Sequence, residues 1–345
     1  MKPGMKVGIV NDLAVACEAL RRAVAQDQAL EVAWIARDGD EAVECARRMR
    51  PDVILMDLIM PRMNGVEATR EIMRVAPCPI LVVTATVTGN AALVYEALGA
   101  GALDAVNTPT FAAGAELKGV EELLRRVHRI ARVERAPASE PLPRAASMAV
   151  RGPSAAVPPI LAIGASTGGP RAVADVLRAL PKPFVGAVLI VQHVSVAFVK
   201  GYAEWLASET GARVALAHDG HELRAGDVLV ASEERHMTLA ADGRIAFTDH
   251  GAAGAQSQIH KPSVDELFAS LALYARPGVA VLLTGMGRDG ADGLLRLRNA
   301  GWHTIAQDNA TSVVWGMPGE AARIGAASEV LPIGGIAAAI TRKMR

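Results

Sequence analysis

An α/β chain built of two doubly wound units is the fold the sequence predicts, and three observations predict it. Short apolar runs alternate with amphipathic segments from the N-terminus to about residue 130, one proline-rich stretch then breaks the pattern, and the alternation resumes to the C-terminus. Strands separated by helix-length segments pair in parallel and are covered on both faces. With 345 residues, about half of them hydrophobic, the chain is long enough for two full cores.

The first unit reads, in order, as "KVGIV" and a helix from about Val15 to Ala25, "EVAWIA" and "GDEAVECARRM", "VILMD" and "GVEATREIMRV", "ILVVT" and "AALVYEAL", then "LDAV" and "GVEELLRRVHRI". Five strands and five helices in strict alternation predict a five-stranded parallel sheet over residues 1–131. The stretch Arg132–Pro159, "RVERAPASEPLPRAASMAVRGPSAAVPP", carries recurrent prolines and no periodicity, the composition of an extended, solvated linker over residues 132–158. In residues 159–345, strands are expected near Ile160–Gly164, Val188–Gln192, Arg213–Ala217, Ala280–Leu283 and Thr304–Gln307. The segment "GDVLVASEERHMTLAADGRIAFTDH" between them is β-rich with a turn at "ADG", which predicts an antiparallel hairpin inserted into a mainly parallel sheet.

Composition narrows the function classes. Lys+Arg equals Asp+Glu at 36 each and aromatic residues are only 3%, so no broad basic surface with stacking platforms for nucleic acid is expected. No run of 18 or more apolar residues predicts membrane insertion, and the N-terminus lacks a cleavable apolar leader, so a cytoplasmic location is expected. Cys17, Cys45 and Cys78 sit widely spaced in apolar segments and read as buried thiols rather than a disulfide or zinc framework.

Residues that follow parallel strands gather at the carboxyl edge of the sheet. In the first unit these are Asn11 and Asp12 after "VGIV", Asp57 ending "VILMD" and Thr84 ending "LVVT". Asp12 and Asp57 together are candidates to hold one Mg²⁺, because a hard cation of this kind accepts one or two carboxylates and keeps several waters. Each aspartate alone also fits a cap or turn position. The pieces "IVND", "LMDLIMPRMNGVEATR", "VVTAT" and "ALGAGALDAV" resemble the receiver domain of bacterial response regulators. The resemblance implies that Asp57 is the phospho-acceptor, Asp12 a metal ligand and Thr84 the hydroxyl that meets the phosphoryl group. Asn11 stands where receivers carry a second acidic residue, Thr108 where they carry lysine, and Ala105 where a switch aromatic is common.

In the second unit, three strands end in reactive side chains: "ILAIGAS" in Ser166, "AVLIVQH" in His193, and "VAVLLTGMGRD" leads to Asp289. Singly, each fits a turn, cap or satisfied strand end. Together they offer a hydroxyl, an imidazole to take its proton and a carboxylate to orient the imidazole. The order Ser, His, Asp and the absence of a G-x-S-x-G elbow set the chain apart from α/β-hydrolases. The pieces "GASTGGP", "VQHVS", "HKPSVDELF", "LLTGMGRDGADGL" and "WGMPGEA" are similar to the catalytic domain of the CheB family of protein-glutamate methylesterases. That resemblance implies Ser166 as nucleophile, His193 as general base, Asp289 as its orienting residue, and Thr167 and Met286 as pocket residues beside the oxyanion. It further implies phosphorylation-regulated hydrolysis of glutamate methyl esters, and deamidation of glutamine, on methyl-accepting chemoreceptors, with a CheA-type histidine kinase as phosphodonor and no cofactor for the esterase. The receiver's "VNDLAV" and "LDAVNTP" are more similar to a Wsp-type surface-sensing subgroup than to swimming-chemotaxis members. Two other classes remain open on the residues: a phosphate- or nucleotide-binding module cradled by "GASTGG", and a non-catalytic signalling scaffold.

Overall fold

The computed structural model describes residues 4–85, 89–112, 117–131, 157–194, 196–249 and 261–344. The chain divides into two compact units, residues 1–135 and 136–345. Most of the expected linker, residues 132–156, lies outside the described residues, as do His250 and His260.

In the first unit the elements are β1 (Met5–Val10), α1 (Ala14–Val24), β2 (Leu30–Ala36), α2 (Gly39–Arg48), β3 (Val53–Met56), α3 (Gly65–Val75), β4 (Ile80–Thr84), α4 (Ala91–Ala100), β5 (Asp104–Asn107), a two-strand ribbon of β6 (Thr110–Phe111) and β7 (Leu117–Lys118), and α5 (Val120–Ala131). The main sheet is parallel with the order β2-β1-β3-β4-β5. The chain starts in the middle and reverses direction of winding after β2, which opens a crevice beyond the ends of β1 and β3. Val7, Ile9, Val53, Leu55, Leu81 and Val83 meet Leu20, Val24, Leu123 and Val127 of α1 and α5 in a fully buried layer. Local signals start the helices. Asp38 caps α2 through Glu41 N–H, and Asn64 with Glu67 closes a reciprocal capping box on α3. All three cysteines are buried free thiols.

The second unit contains β8 (Ile160–Ala165), α6 (Gly169–Ala179), β9 (Ala187–Gln192), α7 (Val196–Thr210), β10 (Val214–Leu216), β11 (Val228–Val230), β12 (His236–Leu239), β13 (Ile245–Thr248), α8 (Val264–Tyr274), β14 (Val279–Leu282), α9 (Ala291–Asn299), β15 (His303–Gln307), α10 (Met317–Arg323), β16 (Glu329–Leu331) and α11 (Ile333–Lys343). Seven parallel strands form the sheet β10-β11-β9-β8-β14-β15-β16, and β12 and β13 pair antiparallel as a separate hairpin. The β-rich segment therefore splits. "VLV" joins the parallel sheet beside β9, and only the two runs flanking "ADG" form the hairpin. Strand β16 was not expected from the sequence, because its three residues are only partly buried and carry no apolar run. Strands β8 and β9 are buried at every position, as strands covered on both faces must be.

Candidate active site

In the first unit, the carboxyl edge brings the sequence-named residues together. Asp57 follows β3, and its N–H donates to Val10 O at the end of β1 (3.0 Å). Asn11 Nδ2 donates to Asp57 Oδ2 at 2.9 Å, and Leu58 N–H donates to Oδ1 at 2.7 Å. Burial, augmented by the charge of Asp12, pushes the Asp57 carboxyl up to about 6. On the other side, Thr84 is buried, Asn90 Nδ2 donates to its Oγ1 at 2.8 Å, and Thr108 N–H donates to its carbonyl at 2.9 Å. Two residues that sequence reasoning passed over also shape this edge. Asn90 holds the Thr84 hydroxyl, and Gly65 lies so close that a Cβ there would sit 1.9 Å from the Asp57 carbonyl oxygen. The "NG" before α3 was the available signal for the second.

The donor set fits a hard divalent cation. Asp12 raises Asp57, so two carboxylates share a partly dehydrated edge, a charge arrangement that a cation relieves. Asn11 supplies an amide donor to Asp57 in place of a further carboxylate, and no group of three or more candidate ligands occurs among the described residues.

The raised Asp57 carboxyl has a consequence for stability. A carboxyl whose folded value lies above the unfolded one stabilises the fold fully below about pH 4, and this contribution is lost as pH rises through about 6. Asp57→Asn should therefore stabilise the receiver unfolding transition by about 1–3 kcal/mol at pH 8 without divalent cations, and leave it unchanged near pH 4. Urea unfolding at the two pH values checks this; an equal effect at both would contradict it.

In the second unit, β8 and β9 pair in register with Ala165 opposite Gln192, so Ser166 and His193 leave the sheet side by side. The His193 N–H donates to Ala165 O, and the Ser166 N–H donates to Thr284 O at the end of β14, both at 3.0 Å. Ser166 thus sits between the two strands that carry the other candidates. Its carbonyl accepts from Gln192 Nε2 at 2.8 Å, and the same amide reaches His193 O at 3.3 Å. Gly169, the first residue of α6, lets this buried glutamine in: a Cβ there would meet Gln192 Oε1 at 2.1 Å.

Asp289 closes the group. His193 Nε2 lies 2.8 Å from Asp289 Oδ2, and both side chains are about nine-tenths buried. Burial alone would raise the Asp289 carboxyl; the His193 ring, the Ser263 hydroxyl and the Val264 N–H outweigh it and hold the carboxyl well below the usual carboxylate range. Thr167 is buried, whereas Met286 exposes its side chain in the turn that follows β14. Their segments are joined. Thr284 Oγ1 donates to Thr167 O at 3.0 Å and accepts from Val314 N–H at 2.9 Å, while Gln307 Oε1 accepts from Thr284 N–H at 2.8 Å. Gly285 O accepts from the N–H groups of Gly316 and Met317. Gln192, Ser263, Thr284 and Gln307 were absent from the sequence-based candidates. Their amides and hydroxyls stand in no motif that marks them, and only their neighbours in space give them a role.

The family model of CheB methylesterase matches residues 161–340, and that of the response regulator receiver domain matches residues 7–113. The chain is 49% identical over 334 residues to a protein-glutamate methylesterase/protein-glutamine glutaminase 1 of Cupriavidus pinatubonensis, covering 96% of each chain. It is 48% identical over 336 residues to a protein-glutamate methylesterase/protein-glutamine glutaminase 4 of Burkholderia thailandensis, again covering 96% of each. Among solved structures, the CheB methylesterase catalytic domain of Thermotoga maritima is 34% identical with a TM-score of 0.49, covering 53% of this chain and 97% of that one. Identity of this extent through both units, with the two models falling on the two sheets, means that the chain belongs to the CheB methylesterase family and carries a response regulator receiver domain ahead of the esterase domain.

Proposed function

We propose that the chain hydrolyses glutamate methyl esters, and deamidates glutamine, on methyl-accepting chemoreceptors, through Ser166, His193 and Asp289, under control of phosphorylation at Asp57. The single observation that carries this reading is the buried His193–Asp289 contact beside Ser166 at one sheet edge, in a chain nearly half identical to named methylesterases. Residues 1–131 act as receiver, 132–158 as linker and 159–345 as catalytic domain, in keeping with the two matched ranges.

Asp289 accepts the Nε2 proton of His193 and fixes the ring, leaving Nδ1 to take the proton of Ser166. Ser166 Oγ forms a bond to the ester carbonyl carbon, and its proton passes to His193. Backbone N–H groups of the turns at Thr167 and Met286 face the developing oxyanion. The C–O bond to methoxide breaks as His193 returns the proton, and methanol departs. Water, deprotonated by His193, then attacks the acyl-serine carbonyl carbon, the C–O bond to Ser166 breaks as His193 returns the proton to Ser166 Oγ, and a receptor glutamate is left. Glutamine follows the same course with ammonia as leaving group. The side chain of Met286 is exposed and would be open to contact with a receptor helix.

In the receiver, Asp12 and Asp57 would hold Mg²⁺, which supplies charge neutralisation for phosphoryl transfer when bound. Asp57 is the acceptor, and the Thr84 hydroxyl meets the transferred group once Asn90 gives way. The phosphodonor is a CheA-type histidine kinase. Thr108 lacks the fixed cation of a lysine, so phosphorylation-driven activation should be small. Thr108→Lys with Asn11→Asp should enlarge activation of methanol release by a small phosphodonor, and Asp57→Asn should abolish it while keeping basal activity. Activation that survives in Asp57→Asn would contradict the assignment of Asp57.

The non-catalytic scaffold makes the opposite forecast, no enzyme-dependent methanol release from a methyl-esterified receptor fragment, so that assay separates the two readings. No described helix is long and apolar enough to cross a membrane.

A further inference from the structure

Serine at a helix N-cap ordinarily turns its oxygen inward to accept from the N–H groups of the first turn. Ser263, the N-cap of α8, makes no such bond. Its hydroxyl instead donates outward to Asp289 Oδ1 at 2.7 Å, and the helix N-terminus it heads is capped by Asp289 itself. Val264 N–H donates to Oδ2 at 2.8 Å and Asp265 N–H to Oδ1 at 3.1 Å. The hydroxyl is completely buried. Behind it, Ser263 N–H donates to Nδ1 of the buried His236 at 3.2 Å, which fixes that ring as a neutral acceptor. The exchange is mutual between the two helices. Asp265, in the first turn of α8, accepts from Gly293 N–H in the first turn of α9 at 2.6 Å.

We infer that Ser263 is a positioning residue for the hydrolysis, holding the Asp289 carboxylate by one oxygen so that the other faces His193. This rests on the proposed triad. Four donors converge on Asp289, two on each oxygen, and three of them come from residues 263–265. Val264 and Asp265 contribute backbone groups that any sequence would supply. Ser263 contributes a side-chain hydroxyl donor, which neutralises part of the charge that His193 would otherwise feel. The titratable groups facing Asp289 are His193 after β9, His236 on β12 and Asp265 at the start of α8; Asp292 on α9 faces Asp265, and Glu266, Lys261 and Asp249 face His236. His193 and the Ser263 hydroxyl donate to the Asp289 oxygens through their side chains, and the Asp265 carboxyl is hydrogen-bonded to Asp289 as well.

The test is Ser263→Ala in the full chain, with methanol release measured from a chemoreceptor fragment carrying radiolabelled methyl esters. Removing the hydroxyl leaves more negative charge on Asp289 and a less constrained carboxylate. The imidazole then keeps its proton to higher pH and points less well. The expected result is a fall in kcat of about 10- to 100-fold with KM unchanged, by analogy with the loss of supporting hydrogen bonds to other site ligands, together with an acid limb of the kcat/KM profile moved to higher pH. Ser263→Thr, which restores the hydroxyl, should recover both. A folded Ser263→Ala enzyme within twofold of wild type and with an unmoved profile would overturn the inference. If Ser263→Ala fails to fold, Ser263→Cys carries the test, because a thiol is a weaker donor of similar size: an intermediate loss supports the inference and wild-type behaviour overturns it. Ser166→Ala run alongside separates the two levels of the argument. If Ser166→Ala stays active the triad itself fails, whereas an inactive Ser166→Ala beside an unaffected Ser263→Ala removes only the role of Ser263.

Discussion

Ser166→Ala should lower methanol release by roughly 10³-fold or more, and His193→Ala should match it, with the double variant no worse than either single one. The reason is that nucleophile and base act as one unit: once the hydroxyl is gone, an imidazole beside it has no proton to take. What remains is the contribution of the backbone donors and of substrate binding. Ser166 lies in a turn whose backbone is held by Gln192 and Thr284 rather than by its own side chain, so the variant should keep its fold. His218, His236 and His303 have other partners, at Asp219 O, Ser263 N–H and Glu329 respectively, and alanine at His218 or His303 should leave kcat close to wild type. Losses that add in the double variant would mean separate binding roles for Ser166 and His193. Steady-state kinetics on the three variants decides between these outcomes.

Asp289→Asn should cost about 10³- to 10⁴-fold in kcat, because an amide holds the imidazole in the wrong tautomer. Here the arithmetic of donors makes the expectation sharper. The wild-type carboxylate accepts four hydrogen bonds, from His193, Ser263, Val264 and Asp265. An asparagine offers one acceptor oxygen and one NH₂ group. With the NH₂ facing His193, it donates where it must accept and forces the ring to reverse its protonation; with the NH₂ facing Ser263, it meets the Ser263 hydroxyl and the Asp265 N–H, and a buried donor is left without an acceptor. Stability of the second unit should therefore fall too, by about 1–3 kcal/mol. Thermal unfolding and kinetics on the same sample test both halves, and a variant of wild-type stability and activity would contradict the Asp289 role.

The architecture was legible because alternation of fully apolar strands with amphipathic helices has one main physical solution, a covered parallel sheet. The order of the strand ends sets Asn11, Asp12, Asp57 and Thr84 at one edge and Ser166, His193 and Asp289 at another, whereas Thr108 is singled out only by the resemblance to receivers. What the sequence hid follows from the same physics. Strand β11 lay inside a segment whose turns and short β runs looked like hairpin throughout, and three residues, "VLV", hold too little pattern to show which sheet they join. Strand β16 is short and half exposed at an edge. Among site residues, the reactive groups were visible by type, whereas Gln192, Ser263 and Thr284 are ordinary polar residues. "VQH" and "HKPSVDELF" contain two of them in plain view. Only the pairing of Ala165 with Gln192, and the arrival of Asp289 at the N-terminus of α8, turn them into supports for the site.

Incubating the full chain with a methyl-esterified chemoreceptor fragment, and measuring released methanol against glutamate formed at each esterified site by mass spectrometry with and without a small phosphodonor, decides whether Ser166 carries ester hydrolysis. The expected result is one methanol per glutamate formed at an esterified site, at a rate proportional to enzyme and absent with Ser166→Ala. Release no faster than in buffer under either condition, or an unchanged rate with Ser166→Ala, would contradict it.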